Sequence, residues 1–258
     1  MKIEELFSVR GKVALVTGGS RGIGEMIARA YVENGIKVYI TARKADACDA
    51  LASDLSKIGE CISIPSDISR LEEIDRLGAE IEKHESKLDI LVNNAGASWG
   101  ADFVTFPESG WDKVMDINVK AAFFLTQRLF KLLHAAGSPE DYARVINIGS
   151  IEGMRTSHLE AYSYAASKAA ILHLTRMMAK YLARSHIAVN AIAPGYFPSK
   201  MTDAIPETES EVIEGETPMQ RWGRAEDMAG VAIYLASRAG GFLCGSTVVV
   251  DGGLATTG

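Results

Sequence analysis

Residues 13–24, VALVTGGSRGIG, join a short apolar strand to a glycine-rich turn, after which a helix is predicted. Glycines permit a tight turn, and the backbone N–H groups at a helix N-terminus bind a pyrophosphate. The spacing is Thr17-Gly18-x-x-x-Gly22-x-Gly24 rather than the more common G-x-G-x-x-G. Between a first strand and a first helix, this turn predicts a dinucleotide site, with a purely structural turn as the alternative.

Short apolar runs alternate with longer amphipathic stretches along the whole chain. Strands are predicted at residues 13–17, 37–41, 61–65, 90–93, 144–148, 188–192 and 247–250. Helices are predicted at residues 23–34, 46–57, 71–84, 109–135, 164–185 and 226–237. The alternation predicts an α/β fold, a single Rossmann-type doubly wound parallel sheet of about seven strands with helices on both faces. No repeat or composition break interrupts it, so residues 1–258 are predicted to form one domain.

Residues 194–224 form the one long stretch without clear periodicity. They contain four prolines and an acidic segment from residue 207 to residue 216. A loop of this length in a compact domain usually has a function, such as covering an active site. We therefore expect a substrate loop here, with a solvated excursion as the alternative.

The bulk composition excludes several classes of protein. A net charge of −6 argues against a nucleic-acid partner, and no apolar run reaches the ~18–20 residues that span a bilayer. The N-terminus lacks a secretory pattern, so a cytoplasmic location is expected. Neither a disulfide framework nor a metal site is expected, because the cysteines and these histidines form no spaced cluster: Cys48, Cys61, Cys244, His158, His173 and His186.

Tyr164 and Lys168 are four residues apart in a predicted helix, so they project from one face. A phenol has a pKa of about 10, and a neighbouring ammonium group lowers that pKa and makes proton exchange easier. Such a pair is frequent by chance. Tyr162 lies six residues before Lys168 and points away from it.

Several motifs occur in a fixed order, from the glycine turn through Asn93-Asn94-Ala95-Gly96, Asn118, Ser150, Tyr164-x-x-x-Lys168 and Pro194-Gly195 to Asp251-Gly252-Gly253. Together they resemble the short-chain dehydrogenase/reductase family over essentially the whole chain. Within that family, the segments VTGGSRGIG, NNAGASWG, IAPGYFPS and RWGR resemble the β-ketoacyl (3-oxoacyl) reductases associated with rhamnolipid synthesis.

The resemblance implies a catalytic set of four residues. Tyr164 exchanges a proton with the substrate, Ser150 polarises the carbonyl, Lys168 binds the nicotinamide ribose and Asn118 orders a relay water. From the residues alone, a serine at a strand end such as Ser150 is usually a turn former, and a polar core residue is the alternative for Asn118. Enoyl reductases of the family use a wider Tyr–Lys spacing, so the resemblance implies carbonyl chemistry.

The second strand ends in Arg43 and has no carboxylate before Asp46. Arg43 and Arg21 can pair with a ribose 2′-phosphate, which favours NADP(H) over NAD, and two ordinary solvated surface charges are the alternative. The resemblance implies a wider cofactor-binding set: Gly18, Ser20, Arg21, Gly22, Ile23, Gly24, Arg43, Asp67, Ile68, Asn94, Ala95, Gly96, Tyr164, Lys168, Pro194, Gly195, Phe197 and Ser199.

Three members of this set have alternatives. Asp67 is expected at the adenine edge or at a helix start, and Asn94 at the cofactor or as a brace of the central strand. The family usually has Thr where Ser199 stands, and Pro198 departs from its common pattern.

The function implied is NADPH-dependent reduction of a ketone, with a 3-oxoacyl thioester of acyl carrier protein or CoA as the first candidate. Reduction of another ketone, sugar or small alcohol uses the same machinery, and an NADP-binding regulatory protein is the non-enzymatic alternative. Residues 151–160 and 196–219 are expected to shape the substrate pocket. Family members are commonly homotetramers that pair through two long helices and the last strand, and a homodimer fits the sequence equally.

Overall fold

The computed structural model describes residues 2–156, 160–200, 202 and 207–255. Seven parallel strands form one sheet in the order β3-β2-β1-β4-β5-β6-β7. Their bounds are β1 Val13–Thr17, β2 Lys37–Thr41, β3 Cys61–Ser63, β4 Ile90–Asn93, β5 Ala143–Ile148, β6 Ile187–Pro194 and β7 Thr247–Val250. The predicted doubly wound fold is confirmed. The strand order reverses beside β1, which is where ligands bind in such sheets.

Ten α-helices connect the strands within the described ranges. They are α1 Ile3–Leu6, α2 Gly22–Glu33, α3 Ala45–Leu55, α4 Leu71–His84, α5 Glu108–Met115, α6 Ala121–Arg128, α7 Phe130–Ala136, α8 Tyr162–Leu182, α9 Glu207–Glu216 and α10 Ala225–Ala236. None of the helices described is both long and apolar enough to cross a membrane.

The two faces of the sheet each pack into a separate hydrophobic cluster. In β1, Ala14 and Val16 point into the cluster that includes α2 and α10, and Leu15 points into the cluster that includes α4 and α6. All five residues of β1 are buried. A strand covered on both faces is apolar throughout, which is why this strand shows no alternation in the sequence.

The predicted helix 109–135 is divided into three α-helices. A π-helical turn at Asp116–Lys120 separates α5 from α6, and Leu129 separates α6 from α7. Such π-turns frequently occur at functional sites. This one contains Asn118, one of the residues predicted for the active site.

Two strand ends and the predicted loop also differ from expectation. β6 extends to Pro194 because its last residues pair with β7, while β3 ends at Ser63. The loop 194–224 contains helix α9, whose Ile213 is buried against the body of the protein.

Parts of the predicted segments lie outside the described residues. They are 157–159 within 151–160, which includes His158, and 201 and 203–206 within 194–224. Residues 1 and 256–258 also lie outside them, so a single domain over 1–258 stays a prediction.

Candidate active site

A cavity of about 1050 Å³ opens at the carboxyl ends of the parallel strands. It runs from the glycine turn after β1 to the segment after β6, and Ser150, Tyr164 and Lys168 lie along its wall. Every residue predicted for catalysis or cofactor binding lines this cavity except Asn118. The fold therefore brings the predicted side chains, which come from seven separate stretches of the chain, to one edge of the sheet.

The glycine turn after β1 needs its glycines for close approach. Gly18 and Gly22 have φ angles of +61° and +55°, a region that other residues rarely adopt. A Cβ atom at Gly24 would collide with the carbonyl oxygen of Gly18 and with the side chain of Asn94. The turn can therefore lie tightly against the start of α2, where N–H groups face the cavity.

Thr17 fastens this turn to the segment after β4. Its Oγ accepts hydrogen bonds from the backbone N–H groups of Asn94 and Ala95 at 2.9 and 3.0 Å. The Asn94 side chain donates to the carbonyl oxygens of Thr17 and Gly18 at 2.8 and 3.2 Å. Asn94 thus braces the end of the central strand β1, which was one of the two roles predicted for it. It also lines the cavity, where the other predicted role, contact with the cofactor, would place it.

A cluster of cations marks the end of the cavity near β2. Arg21, Arg43 and Lys44 line it and are exposed. Among the described residues, neither arginine forms an ion pair that would neutralise it. Asp67, which also lines the cavity, accepts hydrogen bonds from the N–H and hydroxyl groups of Ser69 at 3.2 and 2.7 Å. Asp67 thus closes a turn ahead of α4 without capping that helix, whose N-cap is Arg70, and a contact with the adenine stays a prediction.

Tyr164 and Lys168 occupy the first two turns of α8 and face the same cavity. The Nζ atom of Lys168 lies 5.5 Å from the centre of the Tyr164 ring and donates a hydrogen bond of 2.8 Å to the carbonyl oxygen of Ile148. Burial lowers the pKa of Lys168 to about 8. The amine therefore gains and loses its proton close to neutral pH.

The pKa of Tyr164 is shifted in the direction opposite to the one expected. Burial is the largest cause of a pKa raised to about 12; the hydrogen bond with Ser150 opposes the rise, and the charges of Glu152 and Tyr196 contribute to it. The Lys168 ammonium group bonds to Ile148 instead of to the phenol. Without the cofactor's charge, the phenol therefore keeps its proton at neutral pH, which is the form that can protonate a substrate oxygen.

Ser150 is both a turn former and a cavity residue. It is 7% exposed, and its hydroxyl accepts a hydrogen bond of 3.2 Å from the N–H of Glu152. That bond begins the 3₁₀ turn Ile151–Gly153, which follows β5 directly. The hydroxyl lies beside Tyr164, so both groups can bind one substrate oxygen.

Asn118 lies behind the cavity wall. Its Oδ1 accepts from the N–H of Ala97 at 2.8 Å, and its Nδ2 donates to Ala97 O and Ser167 Oγ, both at 2.9 Å. These bonds use both donor hydrogens and tie the segment after β4 to α8. The polar-core interpretation of its side chain is thus realised, and a role in a water relay stays a prediction.

The segment after β6 is held by a residue that the sequence interpretation missed. Thr202 Oγ accepts a hydrogen bond of 2.9 Å from the N–H of Ser199 and lies 3.0 Å from the carbonyl oxygen of Phe197. Phe197 is 3% exposed and packs against Gly223, where a Cβ atom would collide with its ring. Thr202 carries no periodic or motif signal that would have singled it out.

Other polar residues line the cavity without having been singled out individually. Three of them, Glu152, Tyr196 and Lys200, lie in segments expected to shape the pocket. The other three, Lys44, Lys113 and Asp116, lie outside those segments. Lys113 and Asp116, three residues apart, share one helical face, which is the one available signal. The searched part of the chain contains no cluster of His, Cys, Asp and Glu that could bind a metal ion.

Comparison with known proteins places this geometry in a family. The family model described as "Enoyl-(Acyl carrier protein) reductase" matches residues 18–255. The chain is 49% identical over 250 residues to the "Rhamnolipids biosynthesis 3-oxoacyl-[acyl-carrier-protein] reductase" of Pseudomonas aeruginosa, covering 96% of this chain and 97% of that one. It is 37% identical over 273 residues to the "Short-chain dehydrogenase/reductase PhomF" of Diaporthe leptostromiformis, covering 96% and 93%.

A solved structure shows the same fold. The "Pseudomonas aeruginosa RhlG/NADP active-site complex" superposes with a TM-score of 0.95 at 48% identity, covering 97% of this chain and 99% of that one. The order of the motifs, the doubly wound sheet and these matches over nearly the full length agree. The chain belongs to the short-chain dehydrogenase/reductase family.

Proposed function

We propose that this protein is an NADPH-dependent ketoreductase whose substrate is a 3-oxoacyl thioester, reduced to the 3-hydroxyacyl product. The observation that supports this most directly is the grouping of Tyr164, Lys168 and Ser150 in one cavity with the glycine turn. Carbonyl reduction requires a proton donor, a nearby cation and a hydroxyl group that binds the carbonyl oxygen, all beside the dinucleotide-binding turn. Tyr164, Lys168 and Ser150 are these groups.

The cavity fits a phosphorylated dinucleotide. The N–H groups of the glycine turn would bind the pyrophosphate, and the absence of side chains at Gly18 and Gly24 allows that approach. Arg21, Arg43 and Lys44 would bind the 2′-phosphate, since no described side chain neutralises either arginine. When bound, NADPH supplies the hydride.

The proton would come from the chain itself. Tyr164, with its pKa raised to about 12, stays protonated and donates to the oxygen of the reacting carbonyl. Ser150 donates a second hydrogen bond to that oxygen as negative charge develops on it. Lys168, whose pKa is lowered to about 8, would restore the proton of Tyr164 and bind the cofactor ribose.

The substrate class is supported by the relatives. The Pseudomonas aeruginosa protein is named for reduction of 3-oxoacyl groups on acyl carrier protein, and it covers nearly all of this chain. The description of the family model names enoyl reduction, which is the second candidate function. The four-residue spacing of Tyr164 and Lys168 favours the ketone over the C=C bond.

The test measures NADPH oxidation with a 3-oxoacyl thioester and, separately, with the matching 2-enoyl thioester. Tyr164→Phe should lose about 10²–10⁴-fold in kcat with the 3-oxoacyl substrate and still bind NADPH, because only the acidic proton is removed. Tyr162→Phe is the matched control, since Tyr162 is exposed and bonds to Glu160. Turnover of only the enoyl thioester, or full activity of Tyr164→Phe, would reject the proposal.

We also propose that the chain acts as a single domain within a homotetramer or homodimer in the cytoplasm. The outer faces of α6 and α8 leave apolar side chains uncovered, with Phe123 38% and Met177 44% exposed. The free thiols of Cys48, Cys61 and Cys244 suit a reducing compartment. Light scattering after gel filtration measures the assembly, and a monomer at micromolar concentration would reject it.

A further inference from the structure

Glu152 lines the cavity, and one of its carboxylate oxygens has no hydrogen-bond partner among the described residues. Its Oε1 atom is buried, and no described group donates a hydrogen bond to it. A polar atom that is removed from water without a hydrogen bond destabilises the folded protein, and the cost is larger for a charged group. Within this cavity, the unused acceptor is therefore best explained by a ligand that supplies the missing donor.

The backbone of Glu152 is fixed on both sides. The preceding residue, Ile151, is 2% exposed, and the N–H of Glu152 bonds to the Ser150 hydroxyl. After it, a Cβ atom at Gly153 would collide with the backbone of Lys168 and Ala169, so the turn lies directly on α8. The backbone of Glu152 therefore stands at a constant position relative to Ser150 and α8, and its side chain starts from a fixed point on the cavity wall.

Glu152 also lies near enough to the reacting groups to affect them. Its negative charge contributes to the raised pKa of Tyr164. Glu152 follows Ser150 by two residues and lines the same cavity as Tyr164, so it lies on the side of the cavity where the substrate carbonyl would bind. Alkyl groups gain nothing from a desolvated carboxylate at this position, whereas an N–H or O–H group gains a charge-assisted hydrogen bond.

We propose that Glu152 binds a hydrogen-bond donor of the substrate, an N–H or O–H group a short distance from the reacting carbonyl, and thereby selects among ketones. The inference rests on the proposed ketoreductase function. In a 3-oxoacyl thioester of acyl carrier protein or CoA, the donor is the amide N–H of the thioester arm. In a hydroxylated ketone, the donor is the neighbouring hydroxyl group.

Two substrate pairs isolate this contact, because the members of each pair differ in the donor. The first pair is the N-acetylcysteamine thioester of 3-oxobutanoate and the corresponding S-ethyl thioester, which lacks the N–H. The second pair is hydroxyacetone and butanone, in which a methyl group replaces the hydroxyl. For each pair, kcat/KM is measured with NADPH for the wild-type protein, Glu152→Leu and Glu152→Gln.

In one pair, Glu152→Leu should lower the ratio of kcat/KM for the donor-bearing substrate to kcat/KM for its partner about 10-fold or more, because the effect of the lost charge on Tyr164 is common to both substrates. Glu152→Gln retains an acceptor oxygen and should lose less. The pair that responds identifies the source of the donor. Glu160→Gln is the matched control, because it removes an exposed carboxylate that does not line the cavity.

An equal loss for both members of both pairs would overturn the inference and leave the ketoreductase function intact. A response confined to the hydroxyacetone pair, with neither thioester reduced by the wild-type protein, would support Glu152 as the selecting residue and reject the thioester. If the wild-type protein reduces none of the four ketones, the inference fails together with the function.

Discussion

Two neighbouring threonines give a direct test of how the cavity wall is built. Thr17 and Thr41 end β1 and β2, are paired in register and are each 1% exposed. The hydroxyl of Thr17 accepts two backbone N–H groups, while the hydroxyl of Thr41 has no partner among the described residues. Replacement of each by Val keeps the shape and removes only the hydroxyl.

The two replacements should have different effects on stability. Thr17→Val leaves the N–H group of Ala95 without an acceptor, whereas the N–H group of Asn94 keeps its bond of 3.1 Å to the carbonyl oxygen of Val92. An orphaned donor costs about 1–3 kcal/mol, and because Ala95 is half-buried the expected loss in the free energy of unfolding is about 1–2 kcal/mol. In a chain of this size that loss lowers Tm by about 2–8 °C. Thr41→Val removes an unsatisfied buried hydroxyl and should be neutral or stabilising by up to about 1 kcal/mol.

Urea denaturation and thermal unfolding of both variants measure this difference. Thr17→Val should also weaken NADPH binding, because Asn94 and Ala95 line the cavity and lose a fixed position. Equal destabilisation by the two substitutions would show that strand-end packing, rather than the bonds of Thr17, stabilises the wall. A loss below about 0.5 kcal/mol for Thr17→Val would refute the reasoning outright.

Three further predictions concern the cavity. Arg43→Ala should raise the Kd for NADPH about 10-fold and leave that for NADH unchanged, as measured by fluorescence titration, because only NADPH has the 2′-phosphate. Gly24→Ala should destabilise the protein by about 1–3 kcal/mol and abolish tight NADPH binding, because its Cβ meets the Gly18 carbonyl; wild-type affinity would contradict this. Burial lowers the pKa of Lys168 to about 8 from 10.5, so between these values the unfolded chain binds more protons and stability rises with pH. Between pH 8 and 10 this rise should be about 2 kcal/mol larger in the wild-type protein than in Lys168→Met by urea denaturation, and parallel profiles would contradict it.

The parts of the fold that follow from local patterns were predictable. β1 has the predicted bounds because a strand buried on both faces must be continuously apolar. The glycine turn has its predicted place because only glycine adopts the φ angles of Gly18 and Gly22 without strain. The order of the motifs along the chain then placed most of the predicted site residues at one cavity.

Features that depend on distant contacts were not predictable. The π-turn around Asn118 accompanies hydrogen bonds to Ala97 and Ser167, which lie 21 and 49 residues away. Helix α9 was missed because its sequence is polar, with Ile213 as its buried anchor among the side chains described. No periodicity in the sequence contains either kind of information.

The pKa of Tyr164 connects these distant contacts with the proposed direction of the reaction. Sequence spacing alone suggests that Lys168 would lower this pKa, but Lys168 donates to Ile148, and burial together with Glu152 raises the pKa to about 12. A phenol with a raised pKa keeps its proton over a wider pH range, and its anion is populated at neutral pH only when a positive charge stabilises it. Reduction starts from the protonated phenol, whereas oxidation starts from the anion. Because the carboxylate of Glu152 opposes the anion, the residue proposed to select the substrate also moves the onset of oxidation to higher pH.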